Sequence, residues 1–174
     1  VPKAIKIFVR FVDAVNRVIG RFTMYGIFAM MGLLLYSSIT KAFFIPPLWT
    51  LEMAQFAMAA YYMLGGAYSM QLESHVRMDL LYGRWSPKGQ GFADSITSFC
   101  LVVYLIMLLY GGFSSTGYAL QYGEESFSSW APPMAPIKII MTFGIVLMLL
   151  QSIATFFKDL ARAKGLSLTE ETSA

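Results

Sequence analysis

Four stretches of the chain carry no Asp, Glu, Lys or Arg: residues 22–40, 53–72, 95–123 and 139–157. They hold 19, 20, 29 and 19 residues. A helix of 19 or 20 residues rises about 29 to 30 Å, the thickness of a bilayer's hydrocarbon core. The 29-residue stretch would reach about 43 Å, so its helix must tilt or project beyond the lipid. This pattern predicts an all-α membrane protein with four transmembrane helices, at about 22–44, 51–72, 95–120 and 137–158, in a single domain of residues 1–165. From Ser167 onward the chain is polar (SLTEETSA), and 166–174 reads as a disordered tail.

The segments between these runs carry finer signals. Ahead of the first span, Lys3, Lys6, Arg10, Asp13, Arg17 and Arg21 recur every three or four residues and so share one helical face. They predict an N-terminal basic amphipathic helix, either lying at a membrane interface or extending the first span into solvent. Pro46-Pro47 ends that span, and Trp49 is an interfacial anchor. Thr50 is a candidate cap for the second helix, and Glu52 suits the positive end of its dipole. Lys41 lies across a short turn from Glu52, and a rim ion pair is expected there rather than a coupling-ion site, since acidic groups gain that role only at depth. Ala54, Ala57, Ala59, Ala60, Gly65, Gly66 and Ala67 make the second span rich in small residues, which predicts a central place in the packing. In the third span Gly111/Ser115 and Gly112/Thr116 are small-xxx-small pairs that predict a close crossing. Glu124 and Glu125 then open the loop SFSSWAPPMAPIK, with Trp130 at the interface. That loop reads as a plain hairpin or as a docking surface.

Composition agrees with the class: 57% of residues are hydrophobic and 13% charged, against about 25% charged in soluble domains. The net charge of +3 is explained by where the basic residues sit and does not indicate nucleic acid as a partner. Eleven lie in the amino-terminal arm, the segment after the second span and the tail; only Lys41 and Lys138 lie in the other two connections. The positive-inside rule then places both termini and the connection after the second span in the cytoplasm. Cys100 is the only cysteine, which excludes an intramolecular disulfide and the cysteine-pair chemistry of thiol-oxidising membrane enzymes. The first apolar run is longer than a signal peptide's core and lacks a small-x-small cleavage site, so it is expected to remain.

The polar chemistry concentrates in Leu72–Trp85, LESHVRMDLLYGRW, with the only histidine. Glu73 and Arg77, like His75 and Asp79, stand four apart and could brace a helix end. Leu80, Leu81, Tyr82 and Trp85 suit an interface, and Ser86-Pro87-Lys88-Gly89 reads as a turn. One histidine gives neither a bis-histidine haem site nor a zinc cluster. No charge lies deep in a span, no span has an internal proline, and no phosphate loop, metal-ligand set or nucleophile–base motif is present. The chain therefore reads as a helper subunit, with no catalytic residues, bound metal or cofactor.

The order of these features resembles the small membrane (Q-type, DctQ family) subunit of tripartite ATP-independent periplasmic (TRAP) transporters. The shared elements are Glu52 opening the second span, the His-Val-x-x-Asp element at His75, Val76 and Asp79, and the acidic-Ser external loop at Glu124, Glu125 and Ser126. WAPPMAPIKIIMTFGIVLMLLQ is similar to the branch labelled mannitol/chloroaromatic. The resemblance spans about residues 10 to 165. It implies a scaffold for a large TRAP membrane subunit and for docking of a periplasmic substrate-binding protein, in uptake of an organic anion coupled to sodium bound by the large subunit. It also implies phospholipid at the subunit interface. Partner and structural candidates are then Lys41, Glu52, Gly65, Gly66, Glu73, His75, Arg77, Asp79, Gly111 and Gly112; docking candidates are Trp49, Glu124, Glu125 and Trp130. The competing classes are a self-contained four-helix carrier of the small multidrug exporter type, for which Glu52 is a poorly placed acid, and a membrane anchor for a redox enzyme.

Overall fold

In the computed structural model, which describes residues 3–72 and 83–164, the basic arm and the first apolar run form one uninterrupted helix. This is α1 (Lys3–Phe43). No proline interrupts it, and it ends just ahead of Pro46-Pro47, where the residue before a proline is pushed out of the helical region. At 41 residues it is about 61 Å long, twice the hydrocarbon thickness. The amphipathic segment is thus continuous with the first span and is not a separate helix. Its Val9, Val12 and Asn16 are buried against the bundle, while Ile7, Phe11, Val18 and Phe22 face outward.

The next helix, α2 (Trp49–Gln71), is preceded by Leu48, which gives no side-chain cap. Thr50 does not cap it either. Its hydroxyl is fully buried and donates to the Pro47 carbonyl at 3.1 Å, with Ser37 Oγ 3.2 Å away on α1. Because the Thr50 proton is committed to Pro47, Ser37 is the donor in that second bond.

The third helix, α3 (Pro87–Tyr122), starts well before the apolar run. Ser86-Pro87-Lys88-Gly89 is not a turn between elements but a helix start. Ser86 Oγ accepts from the Gly89 amide at 3.3 Å, and proline takes the first turn, where its missing N–H costs nothing. The helix stops at Gly123, in the left-handed conformation at φ 59°, which glycine adopts without a Cβ penalty. The fourth helix, α4, is Ala135–Ala163.

The four helices run up and down in sequence. Residue 20 of α1 meets 68 of α2, 66 of α2 meets 148 of α4, and 91 and 112 of α3 meet 163 and 142 of α4. The α1 and α4 amino- and carboxy-terminal ends therefore share one end of the bundle with the start of α3. The α1–α2 turn and the α3–α4 loop share the other.

The hub is α4, not the small-residue helix α2. It packs on α1, α2 and α3, whereas α3 leans on α4. The most apolar 18-residue window of α4 is 39% buried, against 11% for α1 and for α3. The glycines show how α4 gets this close. A Cβ added at Gly144 would lie 2.9 Å from the Met63 backbone, and one at Gly66 would lie 3.0 Å from Met148 Sδ. Gly112 faces Thr142 in the same way, but Gly111 has nothing within 4 Å and Gly65 only the Thr23 methyl at 4.0 Å. So one of the two small-xxx-small pairs in α3, Gly112/Thr116, forms the crossing; Gly111/Ser115 faces outward.

Three of the helices, α1, α3 and α4, are long and apolar enough to cross a membrane. The 23-residue α2 has the length, but Glu52, Gln55, Tyr61, Tyr62 and Tyr68 dilute its hydropathy.

Candidate functional site

Two features concentrate chemistry among the described residues: a polar seam where α1 meets α4, and the two connections at the opposite end of the bundle.

The seam was not expected from the sequence. Asn16 Nδ2 donates to Gln151 Oε1 at 2.7 Å, and Gln151 Nε2 donates in turn to Asp13 Oδ1 at 3.1 Å. Asp13 also takes an ion pair from Lys158 Nζ, 2.7 Å from Oδ2. Gln151 is 0% and Asn16 2% exposed. Inside an apolar bundle these amides bond to each other because nothing else nearby can satisfy them. At the residue after Lys158, α4 is also tied to α3: Ser98 Oγ donates to Asp159 Oδ2 at 3.0 Å. Adjacent residues Lys158 and Asp159 thus bind α4 to different neighbours. The only sequence signal was a single glutamine inside the uncharged run 139–157, which does not disturb a hydropathy window. Nothing in the seam resembles a nucleophile–base pair, and among the described residues no group of three or more His, Cys, Asp or Glu is placed to hold a metal.

At the other end, the α1–α2 turn holds Trp49 and Glu52. Trp49 leans on Tyr36 of α1, ring centroids 6.0 Å apart at 31°, a contact between the two helices at their turn. The expected ion pair between Lys41 and Glu52 does not form. Lys41 is exposed, and Glu52 Oε2 is buried with no hydrogen-bond partner.

The α3–α4 loop is more highly ordered than its serines and prolines suggest. The Gly123 cap directs the Glu124 amide back to the Ala119 carbonyl at 3.2 Å. Met134 N then donates to Glu124 O at 2.9 Å and Ser126 N to Pro132 O at 3.0 Å, so Glu125 and Pro133 face each other as a two-residue bridge. At the tip, Ala131 N donates to Ser128 O at 3.1 Å, with Ala131 at φ 45°. A non-glycine residue there costs about 1 to 2 kcal/mol, so the surrounding bonds hold the turn in place.

Within this loop the two glutamates divide. Glu124 is half-buried and ion-paired with Lys138 on the first turn of α4, so it is a strut across the loop's base. Glu125 is exposed. Trp130 is partly exposed, and Phe127, which the sequence pattern did not single out, is fully exposed. The docking candidates Trp49, Glu124, Glu125 and Trp130 therefore share one end of the bundle, but the two connections are closed separately by their own contacts. Glu73, His75, Arg77 and Asp79, with their proposed pairings, and the tail 166–174 lie outside the described residues.

Compared with known proteins, residues 30–162 match the family described as tripartite ATP-independent periplasmic transporters, DctQ component. No curated protein and no solved structure matches the chain. The match takes in α2, α3, nearly all of α4 and both connections at the Trp49/Glu125 end, but of α1 only the part from residue 30 onward, past the basic arm.

Proposed function

The chain belongs to the DctQ component family of tripartite ATP-independent periplasmic transporters, a multi-pass membrane component that works with a large membrane subunit and a periplasmic binding protein. From that premise we propose that it is the static scaffold of the complex. It braces the large subunit and, at the end carrying Trp49, Glu125 and Trp130, helps receive the loaded binding protein. The transported solute is an organic anion moved with sodium, and both the solute and the ion are handled by the other subunits. All four helices span a bacterial inner membrane in this reading, α2 shielded by its contacts with α1 and α4, and phospholipid fills the seams between subunits. The end carrying Lys3, Lys6, Arg17, Arg21 and Lys164 is cytoplasmic, in keeping with the positive-inside rule.

The observation that supports the scaffold most directly is the uneven burial of the bundle. Only α4 is substantially enclosed, while α1 and α3 turn long rows of large side chains outward. The α3 row (Phe99, Tyr104, Met107, Tyr110, Phe113, Tyr118, Tyr122) is exposed along the whole helix. A self-contained carrier would enclose a polar path between its helices; here the inner polar contacts are spent pinning helices together. The test is co-purification in mild detergent followed by reconstitution. The chain should co-elute with a large membrane subunit and support uptake only with it. Solute or proton flux through vesicles holding this chain alone would refute the scaffold role.

A further inference from the structure

We propose that Phe127 is the anchor of the docking end, and that it seats in an apolar pocket with a basic rim on the periplasmic binding protein. This rests on the docking role proposed above and specifies it. Three observations carry it. First, Phe127 is fully exposed while lying outside every helix, so the lipid that would cover an exposed helical aromatic is not the default environment for it. Second, its backbone is held by the Ser126–Pro132 and Met134–Glu124 hydrogen bonds below it and the Ser128–Ala131 turn above it. The ordering cost of presenting the ring has been met before any partner arrives, which is how binding energy is conserved. Third, the loop's charge selects the occupant. Residues 123–137 contain two acids and no base; Lys138 neutralises Glu124 and leaves Glu125 as the outward charge. An acidic tip is repelled by an anionic bilayer surface, whereas an aromatic ring beside one free carboxylate matches a protein pocket ringed by Lys or Arg.

Since the ring is fully exposed, Phe127→Ala should leave folding and assembly unchanged. Binding of the periplasmic protein to the complete membrane complex in nanodiscs should weaken by roughly 30-fold, the scale of a buried aromatic hot spot. Glu125→Lys should slow association and flatten its salt dependence while changing dissociation less. A bimane probe at Phe127→Cys, in a Cys100→Ala background, should lose quenching by aqueous iodide when the periplasmic protein is added. Undiminished affinity in Phe127→Ala overturns the anchor while leaving the docking end intact. Quenching of the same probe by spin-labelled lipid, unaffected by the periplasmic protein, overturns it in favour of the bilayer surface. If the wild-type complex binds no periplasmic protein, the docking role itself fails.

Discussion

Replacing Gln151 by Leu tests the central packing of the bundle. Leucine is shorter than glutamine and branched at Cγ, so a smaller packing cost accompanies the polar one. The substitution removes the 2.7 Å bond from Asn16 and the 3.1 Å bond to Asp13. Asn16 would keep an amide at 2% exposure with no acceptor, and its Oδ1 already lacks a donor. Hydrogen bonds between membrane helices average about 0.6 kcal/mol and reach about 1.7, because the unfolded chain in lipid finds other partners. Two lost bonds plus one stranded donor give an expected loss of about 1 to 3 kcal/mol. Asn16→Leu together with Gln151→Leu should recover part of this, since it leaves no orphaned amide; a coupling energy of about 0.6 to 1.7 kcal/mol is expected from the double-mutant cycle. The assay is reversible unfolding in mixed micelles, followed by Trp fluorescence at fixed lipid ratio. A Gln151→Leu protein as stable as wild type, with zero coupling to Asn16, would show that the seam does not hold α1 to α4.

Gly144→Val should separate α2 from α4, because the 2.9 Å approach is to the Met63 backbone, which cannot rotate away; a loss of about 1 to 3 kcal/mol is expected in the same unfolding assay. Gly111→Val, with nothing within 4 Å, should leave the isolated chain within about 0.5 kcal/mol of wild type, and a defect confined to recovery of the large subunit on co-purification would locate the partner on that face of α3. Gly123→Val forces a β-branched residue to φ 59° and should destabilise the end of α3 by about 1 kcal/mol or more, seen as faster amide exchange at residues 119–124. Breaking the Glu124–Lys138 pair with Glu124→Gln should change global stability by less than about 1 kcal/mol, yet loosen the loop, read as increased proteolytic nicking between residues 124 and 134.

What was legible in the sequence follows from how local the driving term is. Transfer into lipid is nearly a sum over residues, so runs such as 139–157 identify helices without reference to anything distant, whereas the small-residue content of α2 points to it as the packing centre, a place that α4 takes. The same additivity explains the failures. A window average does not register one Gln at position 151, and it leaves open whether the basic arm lies at an interface or extends the first span. Small residues say that an approach is possible but not which neighbour uses it. Gly144 sits in α4, and its apposition to Met63 decides that α4, touching three helices, is the centre, while Gly111, identical in pattern to Gly112, is turned outward by the rotation of α3. Lys41 and Glu52 flank the same turn yet are unpaired, whereas Glu124 finds Lys138, fourteen residues on, because the loop folds back. The helices and the family-like order of their connections were therefore set by composition along the chain. Which faces meet, which charges pair and which aromatic is left exposed depended on helix rotation and loop closure, and those are fixed only when distant segments pack.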